Sequence, residues 1–480
     1  MKLSELLSKS GMKANLSHDP EVTGLAYDSR LVKPGCLFFA IKGAHVDGHE
    51  FMGQAAKLGA VAAVVERDVP SSLPLVRAPS ISSAMSRIAK VFFGDPSRDI
   101  PVIGVTGTNG KTTTTYIIEA ILRASGKICG VMGTVNVRLG PDVQPALNTT
   151  PMSIDVQSFL AEALRKRASA VAMEVSSHAL EQNRVDDVRF QVGVFTNLTQ
   201  DHLDYHVTME KYFAAKRKLF FRPEPVRPAV NIDDEYGMRL AAELKDPVSF
   251  GWGEKAALRA SAIRCDLSGI HFQLTFPSGA SQPVSNNLLG MHNVSNCLAA
   301  AGAMLALGLP EAEILRGLNQ KLAVPGRLER VEAGQKFVVA VDYAHTHDAL
   351  AQVLTTLRNT GPKKLICVFG AGGDRDKTKR PKMGEVTVRL ADSVYVTSDN
   401  PRSEDPTAIL KDIEAGIRKT GKTNYKMIED REAAIREAIK AAGPGDVVLI
   451  AGKGHETYQI YGDKKIHFSD LEVARKILSQ

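Results

Sequence analysis

A glycine-rich heptapeptide at residues 107–113 lies between an apolar segment and a segment with helical patterning. The apolar segment, residues 101–105, has the composition of a buried strand. Glycines in such a turn let backbone N–H groups face phosphate oxygens, and the N-terminus of the following helix adds partial positive charge. The sequence therefore predicts a phosphate-binding loop at the junction of a strand and a helix.

Within this loop, Lys111 is placed to neutralise outer phosphates, and the Thr112 hydroxyl is placed to reach Mg²⁺. The usual pattern has a glycine at the position of Val105, and here the nearer Gly107 takes its place. The alternative interpretation is an incidental glycine-rich turn. The predicted nucleotide contacts are Gly107, Thr108, Asn109, Gly110, Lys111, Thr112 and Thr113.

Two polar segments follow other predicted strands, where α/β proteins form ligand sites. Glu174 ends the strand predicted at 170–175, and its hard oxygens suit Mg²⁺, although a surface glutamate is the alternative. His202 and His206 follow the strand predicted at 192–196; on a helix they would share one face, and a polar loop is the alternative. A zinc HExxH motif is excluded because Leu203 stands where glutamate is required.

Strands alternate with helical patterns along the chain, which indicates an α/β fold with parallel sheets. We predict three domains: a smaller N-terminal α/β domain at 1–98, a central P-loop domain at 99–324 and a C-terminal Rossmann-like domain at 325–480. An antiparallel patch is expected between 250 and 283. Helices are predicted at 113–124, 153–167 and 291–307, and the remaining strands at 229–232, 337–341, 364–369, 393–397 and 446–450.

Composition excludes several classes of protein. The 480 residues are 44% hydrophobic and 24% charged, as in globular domains, and the net charge of +7 is too diffuse to indicate nucleic-acid binding. The five cysteines contain no CxxC pair, which argues against zinc and disulfide frameworks. The longest uncharged apolar run, at 297–309, is too short for a bilayer. We expect a cytoplasmic protein without membrane insertion.

In combination, the motifs resemble those of the Mur ligases, the peptide-forming enzymes of bacterial peptidoglycan synthesis. The resemblance covers nearly the whole chain. The matching segments are 27–30, 107–113, 148–151, 174–178, 197–206, 214–216, 292–293, 326–327, 341–345, 399–402 and 452–456.

The resemblance implies an ATP-dependent ligase that phosphorylates a substrate carboxylate and then lets an amine displace phosphate. It implies Mg²⁺, and CO₂ that carbamylates Lys216, giving N6-carboxylysine. From its neighbours Arg217 and Lys218 alone, Lys216 would be an ordinary surface lysine. The implied catalytic residues are Lys111, Lys216, Glu174 and His202, and the implied metal site comprises Thr112, Glu174, the Lys216 carbamate and His202.

The resemblance also implies small-molecule substrates, no nucleic-acid partner and a monomer. Asn293, Arg327 and Asp342 would complete the ATP site, with a helix cap or interdomain ion pair as the alternative for each. The UDP-N-acetylmuramoyl-L-alanyl-D-glutamate site would use Ser29, Asn148, Thr149, Thr150, Ser176, Gln182 and Arg184. A lone Ser or Thr among these could equally be a turn or N-cap residue.

The members of the family that add the third residue of the peptide use either meso-diaminopimelate or L-lysine. Diaminopimelate carries a distal carboxylate, which calls for a bidentate arginine such as Arg402. The implied acceptor site comprises Arg375, Asp399, Asn400, Pro401, Arg402, Gly452 and Glu456. One departure from the family pattern is His347, which stands where proline is usual.

Two other functions stay open at this stage. The first is the same chemistry with another acceptor, as in a sibling Mur enzyme or folylpolyglutamate synthetase. The second is a P-loop ATPase acting on nucleic acid, for which the basic stretch 377–380 is the best candidate. A dinucleotide fingerprint at 370–373 is weak because Arg375 occupies the third glycine position.

Overall fold

The computed structural model describes residues 1–13, 18–43 and 46–480. The chain divides into two compact units: Met1–Leu258 with Ala299–Gly317, and Arg259–Leu298 with Leu318–Gln480. This division groups the first predicted domain with most of the second, so the boundaries 1–98, 99–324 and 325–480 stay a prediction.

Helices occupy every segment in which helical patterning was predicted. In chain order they are α1 Leu3–Lys9, α2 Met52–Lys57, α3 Ile81–Phe92, α4 Lys111–Ala124, α5 Ser153–Arg165, α6 Ser177–Glu181, α7 Leu203–His206, α8 Met209–Arg217, α9 Glu235–Glu243, α10 His292–Leu307, α11 Glu311–Leu318, α12 His347–Arg358, α13 Lys379–Leu390, α14 Pro406–Arg418, α15 Arg431–Lys440 and α16 Asp470–Leu478.

The strands confirm the predicted ones to within a few residues. They are β1 Gly24–Ala26, β2 Cys36–Phe39, β3 Ala62–Val65, β4 Leu75–Arg77, β5 Val102–Thr106, β6 Cys129–Met132, β7 Asn136–Leu139, β8 Asp142–Pro145, β9 Ala170–Glu174, β10 Val192–Phe195, β11 Arg227–Asn231, β12 Val248–Gly251, β13 Leu258–Asp266, β14 Gly269–Thr275, β15 Ser281–Asn286, β16 Glu329–Arg330, β17 Val338–Asp342, β18 Leu365–Phe369, β19 Ser393–Val396, β20 Tyr425–Met427, β21 Val447–Ala451, β22 Tyr458–Tyr461 and β23 Lys464–His467.

The first unit holds two sheets. Strands β1 to β4 pair in parallel over a core of their own, to which α1 and α3 contribute. The larger sheet runs β12-β11-β10-β5-β9-β6 in parallel and ends in the antiparallel strands β7 and β8. Because β5, β9 and β10 are parallel neighbours, their carboxyl ends meet at one edge, where the loop 107–113 begins.

In the second unit, β17, β21, β18, β19 and β20 are parallel, and β16 joins antiparallel at the edge. Alternate residues of these strands enter two separate cores. Cys367 and Leu449 face one core, whereas Ile366 and Val448 face the other. A parallel sheet that is covered on both faces needs strands that are apolar at every position. The packing of this sheet therefore agrees with the predicted Rossmann-like domain.

The antiparallel patch predicted between 250 and 283 is also present. Strands β13, β14 and β15 form an antiparallel meander. All five cysteines are free thiols. Across the described residues, none of the helices has the combined length and apolar character of a membrane span.

Candidate functional site

The phosphate-binding loop is shaped by two glycines. Gly110 has φ +87° and caps α4, so Lys111 is the first helical residue. Gly107 has φ +147°, and a Cβ there would overlap the hydroxyl of Thr196. Only glycine combines this backbone conformation with this close approach. The helix begins two residues earlier than predicted, which places Thr112 in its first turn.

Residues that follow β10 hold the loop in place. The backbone N–H of Asn109 donates to Asn197 Oδ1 at 2.9 Å, and the Thr196 hydroxyl donates to the carbonyl of Asn109 at 2.6 Å. The N–H of Thr108 donates to the carbonyl of Asn197 at 2.9 Å. The segment 197–206 was expected near the site, but its role in presetting the shape of the loop was not predicted from the sequence.

Lys111 turns back toward its own loop. Its Nζ donates to the carbonyls of Gly107 and Thr108, both at 2.8 Å. The ammonium therefore lies inside the curve of the loop, where a bound phosphate would meet it.

Glu174 is buried, with 2% of its surface exposed, at the end of β9 beside the loop. Its Oε1 accepts from the Thr112 hydroxyl at 2.9 Å and from the N–H of Thr134 at 2.8 Å, and its Oε2 accepts from the Thr134 hydroxyl at 3.0 Å. A Cβ at Gly133 would overlap Oε1. The alternative of a surface glutamate is wrong, and Thr134 and Gly133 are site residues that sequence reasoning missed.

Lys216 lies on α8 and is 1% exposed, so the surface-lysine interpretation is also wrong. Its Nζ donates to the carbonyl of Gly107 at 2.8 Å, the same oxygen that accepts from Lys111. The Tyr212 ring centre lies 4.5 Å from Nζ. Desolvation by burial, reinforced by the positive charge of Lys111, holds the pKa of Lys216 well below its usual value.

His202 is not hydrogen-bonded to Glu174 or to Lys216 in the described residues. It precedes α7 rather than lying on it, and its side chain is 46% exposed, with Nε2 at 3.5 Å from Asp201. The predicted shared helix face with His206 is therefore wrong. His206 is buried, with Nε2 at 2.9 Å from the Ser177 hydroxyl. His202 instead packs edge-on against His178, with ring centres 4.9 Å apart.

Four of the predicted muramoyl-dipeptide residues are connected to one another by hydrogen bonds. The Thr150 hydroxyl donates to the carbonyl of Glu174 at 2.8 Å and accepts from the N–H of Ser176 at 3.0 Å. Arg184 donates to the Thr150 carbonyl at 2.8 Å and to Gln182 at 2.6 Å. Ser176 also caps α6, as the N-cap alternative predicted. These residues therefore form one hydrogen-bonded group beside Glu174.

The other three residues of this set have different surroundings. The Thr149 hydroxyl lies 3.1 Å from that of Thr134, which links it to the Glu174 cluster. Asn148 is exposed. Ser29 is buried in a turn of the first sheet, with its hydroxyl 3.2 Å from Gln54 Oε1.

In the second unit, the residues expected to complete the ATP site make contacts within the loops and helix to which they belong. Asp342 accepts at 2.8 Å from the N–H of Leu328 and at 2.8 Å from the N–H of Ala344. Burial raises the pKa of this carboxyl. Asn293 donates to the carbonyl of Leu289 at 2.9 Å, and the Arg327 guanidinium lies 5.8 Å from the Tyr343 ring centre.

The loops after β18, β19 and β21, at residues 370–375, 398–402 and 452–456, are called here the acceptor loops. The N–H of Gly373 donates to the carbonyl of Asn400 at 2.9 Å, and Arg402 Nη1 donates to the carbonyl of Gly373 at 2.6 Å. A Cβ at Gly373 would overlap the carbonyl of Pro401. The glycines at 370–373 thus serve close backbone packing between loops rather than a dinucleotide.

Most of the predicted acceptor residues meet in these loops. Asn400 Nδ2 donates to Glu456 Oε2 at 3.0 Å. A Cβ at Gly452 would lie 2.7 Å from Asp399 Oδ2. Arg402 has φ +55°, a conformation rare for arginine. Arg375 is the exception, since it is exposed and donates to the carbonyl of its neighbour Asp374, at 3.3 Å.

Two buried cations of this region were missed by sequence reasoning. Lys453 is 0% exposed and donates to Glu456 Oε2 at 3.2 Å and to Asn400 Oδ1 at 3.3 Å. Its position between two glycines was the available signal. Arg431 pairs with Asp470 through two hydrogen bonds of 2.7 Å, with both side chains fully buried.

The basic stretch 377–380 does not form a free cationic patch. Arg380 is fully buried and pairs with Glu404 and Asp412, at 2.8 and 2.9 Å. Lys377 pairs with Glu404 at 3.1 Å, and Lys379 donates to the carbonyl of His345 at 3.1 Å. The three cations of this stretch are therefore paired with groups of the protein itself.

Three family models match successive parts of the chain. The model described as Mur ligase family, catalytic domain, matches residues 5–106. The Mur ligase middle domain matches residues 105–304, and the Mur ligase glutamate ligase domain matches residues 326–454.

Curated relatives are similar over the full length. A protein of Geobacillus thermodenitrificans is 47% identical, with 100% of both chains covered. A protein of Geobacter metallireducens is 47% identical, with 94% of this chain and 93% of the relative covered. Both are named UDP-N-acetylmuramoyl-L-alanyl-D-glutamate--2,6-diaminopimelate ligase. A solved structure of a ligase with this name is 31% identical, with a TM-score of 0.73, and covers 100% of this chain and 99% of its own.

Proposed function

The chain belongs to the Mur ligase family, and we propose that it joins meso-2,6-diaminopimelate to UDP-N-acetylmuramoyl-L-alanyl-D-glutamate at the expense of ATP. The substrate carboxylate attacks the γ-phosphorus, which gives an acyl phosphate and ADP. The acceptor amine then attacks the acyl carbon, and inorganic phosphate leaves as the amide bond forms. The amine loses one proton in this second step.

The first step brings two anions together, the carboxylate and the γ-phosphate. Lys111 lowers their repulsion because its ammonium is held inside the loop by two carbonyls at 2.8 Å. Helix α4 directs its N-terminal N–H groups toward the same region. In-line alignment and charge neutralisation are the main contributions a protein makes to phosphoryl transfer.

The donors beside the loop fit Mg²⁺. The Thr112 hydroxyl and the Glu174 carboxylate are hard oxygen ligands 2.9 Å apart. Within the described residues there is no cluster of three or more His, Cys, Asp and Glu side chains, and Mg²⁺ commonly uses few protein ligands together with substrate phosphates. Thr112 and Glu174 would hold the ion, which when bound neutralises phosphate charge.

Lys216 is proposed to react with CO₂. A neutral amine attacks the carbon, an N–C bond forms, and the amine gives up a proton to solvent, leaving a carbamate anion. Burial and the neighbouring Lys111 favour the neutral amine that this step needs, since both lower the pKa of Lys216. The carbamate oxygens would supply a further metal ligand, and His202 would complete that site.

The remaining ligand roles are likewise proposals. The group Thr149, Thr150, Ser176, Gln182 and Arg184 lies beside Glu174, where the dipeptide carboxylate must meet the γ-phosphate, while Ser29 and Asn148 would contact the UDP-sugar. Asn293, Arg327 and Asp342 would contact the nucleotide. Because the substrates are nucleotides and small acids, we propose a cytoplasmic protein. We also propose that it is a monomer, which light scattering after gel filtration can test.

The choice of diaminopimelate depends on one observation, the convergence of Asp399, Asn400, Arg402 and Glu456 in the acceptor loops. The distal end of diaminopimelate carries an ammonium and a carboxylate. The carboxylates of Asp399 and Glu456 suit the ammonium, and the Arg402 fork suits the carboxylate. Lysine would leave Arg402 without its anion.

The test is a phosphate-release assay with UDP-muramoyl-dipeptide, ATP and Mg²⁺, with each acceptor supplied separately. We expect release with meso-diaminopimelate and a product heavier by one diaminopimelate residue. Efficient use of L-lysine would overturn the acceptor assignment. Hydrolysis of ATP that requires nucleic acid instead of either acceptor would favour the P-loop ATPase alternative.

A further inference from the structure

The acceptor loops contain a buried cation, Lys453, that the proposed function does not use. Lys453 is flanked by Gly452, with φ +117°, and Gly454, with φ +54°. A Cβ at Gly454 would lie 2.7 Å from the Cβ of Tyr343. The two glycines thus permit the close packing that takes the lysine out of solvent, to 0% exposure.

A tight turn aligns Lys453 with Glu456, because the N–H of Glu456 donates to the carbonyl of Lys453 at 3.0 Å. Glu456 Oε2 then accepts from both Lys453, at 3.2 Å, and Asn400, at 3.0 Å. Within the described part of the chain, Oε1 has no hydrogen-bond donor. One oxygen of Glu456 is therefore engaged by the protein, and the other is available to a ligand ammonium.

Lys453 also fixes the orientation of the Asn400 amide. Asn400 Oδ1 accepts from Lys453 at 3.3 Å and from the N–H of Ile460 at 3.1 Å. Its Nδ2 consequently points toward Glu456. With its amide held in this way, Asn400 keeps Glu456 in place rather than rotating to accept from a ligand.

The charges of the two loops 398–402 and 452–456 balance. Their acidic residues are Asp399 and Glu456, and their basic residues are Arg402 and Lys453. Burial lowers the pKa of His455, which keeps that ring neutral. Two loops without net charge match the distal end of diaminopimelate, which carries one ammonium and one carboxylate, whereas the distal end of lysine carries a net positive charge.

We propose that Lys453 is a specificity-determining positioning residue, whose buried charge makes the acceptor loops electrically neutral and so favours a zwitterionic acceptor end over a cationic one. Without Lys453, the loops keep one excess negative charge, which attracts lysine and weakens selection for diaminopimelate. This inference rests on the proposed function.

The experiment compares kcat/KM for diaminopimelate and L-lysine in Lys453→Met and Lys453→Gln. Both variants remove the charge, and glutamine keeps a hydrogen-bond donor. We expect the diaminopimelate value to fall roughly 10- to 100-fold, and the ratio of the two acceptors to fall at least about tenfold, with KM for ATP unchanged. In Lys453→Met/Glu456→Gln, which restores neutrality, the ratio recovers toward the wild-type value.

The matched control is Lys465→Met. Lys465 is exposed, and its Nζ lies 3.9 Å from the centre of the Tyr458 ring, which is 5.5 Å from Lys453 Nζ. It should leave the acceptor ratio within about twofold of wild type, as expected for a surface residue. An equal fall for both acceptors in the Lys453 variants would make Lys453 a structural cation and overturn the inference.

If neither variant folds, the acceptor preference of the wild-type enzyme can still overturn the inference. Two incomplete acceptors are compared with diaminopimelate: L-lysine lacks the distal carboxylate, and 2-aminopimelate lacks the distal ammonium. If the loops carry no net charge, kcat/KM for each of the two should be at least about tenfold lower than for diaminopimelate. A lysine value close to that of diaminopimelate overturns the inference. If the wild-type enzyme uses neither diaminopimelate nor lysine, the proposed function itself is overturned. If the wild type prefers diaminopimelate but the ratio of the two acceptors is unchanged in the Lys453 variants, only the role of Lys453 is overturned.

Discussion

The two candidate sites each bury a lysine, and the partners of these lysines differ. Lys216, beside the phosphate-binding loop, is hydrogen-bonded to a carbonyl and lies in the field of another lysine. Lys453, in the acceptor loops, is hydrogen-bonded to the carboxylate of Glu456. A desolvated amine without a paired anion tends to lose its proton, whereas a desolvated ion pair keeps both charges. Burial alone therefore does not make a lysine reactive. The group to which the buried amine is hydrogen-bonded determines whether the amine tends to lose its proton.

Breaking a buried ion pair should give the largest effect. Asp470→Asn leaves the fully buried Arg431 without its carboxylate, which should lower the free energy of unfolding by about 3–5 kcal/mol. Urea unfolding measures this loss. The control Asp348→Asn changes an 81% exposed carboxylate and should alter stability by about 0.5 kcal/mol or less. A loss below about 1 kcal/mol in Asp470→Asn would show that pairing matters little in this unit.

Lys216→Ala tests the lysine that has no paired anion. It removes the group proposed to carry the carbamate, and we expect kcat to fall about 10²- to 10³-fold, with loss of stimulation by bicarbonate. Lys218→Ala is the matched control, because Lys218 follows the same helix but is 51% exposed and pairs with Glu181. Full activity of Lys216→Ala in CO₂-free buffer would refute the modified-lysine role.

Arg402→Ala tests the cation of the acceptor loops that is proposed to bind the distal carboxylate of diaminopimelate. Removing the guanidinium leaves the distal carboxylate of diaminopimelate without a charged donor, and kcat/KM for this acceptor should fall about 10- to 100-fold. Activity with L-lysine should change much less. The control Arg389→Ala removes an exposed arginine paired with Glu385 on α13. Equal losses for both acceptors would place Arg402 outside acceptor recognition.

Much of the fold was predictable because local patterns determine it. Apolar runs such as those of β5 and β9 become strands when flanked by turn residues, and the glycine-rich junction locates the nucleotide edge. The predicted helix from Met291 differs from α10 by a single residue. At 347, where histidine replaces the usual proline, α12 begins at that histidine, and Thr346 caps it by accepting from the N–H of Ala349 at 3.2 Å.

The contacts within the sites were less predictable because they join residues far apart in the chain. Nothing local shows that Lys216 is buried against Gly107, or that Gly133 must lack a side chain so that Glu174 fits. Asp342 was expected to complete the ATP site, but its hydrogen bonds with two loop N–H groups were not predicted. Such pairings follow from tertiary packing, which overrides local pattern.

The smallest expected effect is a pH dependence that isolates the unpaired lysine. Because the pKa of Lys216 in the folded protein lies well below 10.5, the unfolded chain binds a proton that the folded chain does not between those two values. The free energy of unfolding therefore rises with pH in that window, by at most about 1.4 kcal/mol per pH unit, and the gain disappears as the pH falls through the folded pKa. In CO₂-free buffer, the stability of wild type minus that of Lys216→Met should increase as the pH approaches 10. A difference that stays flat or decreases would mean that Lys216 keeps its proton after all, so that the two buried lysines do not differ in charge.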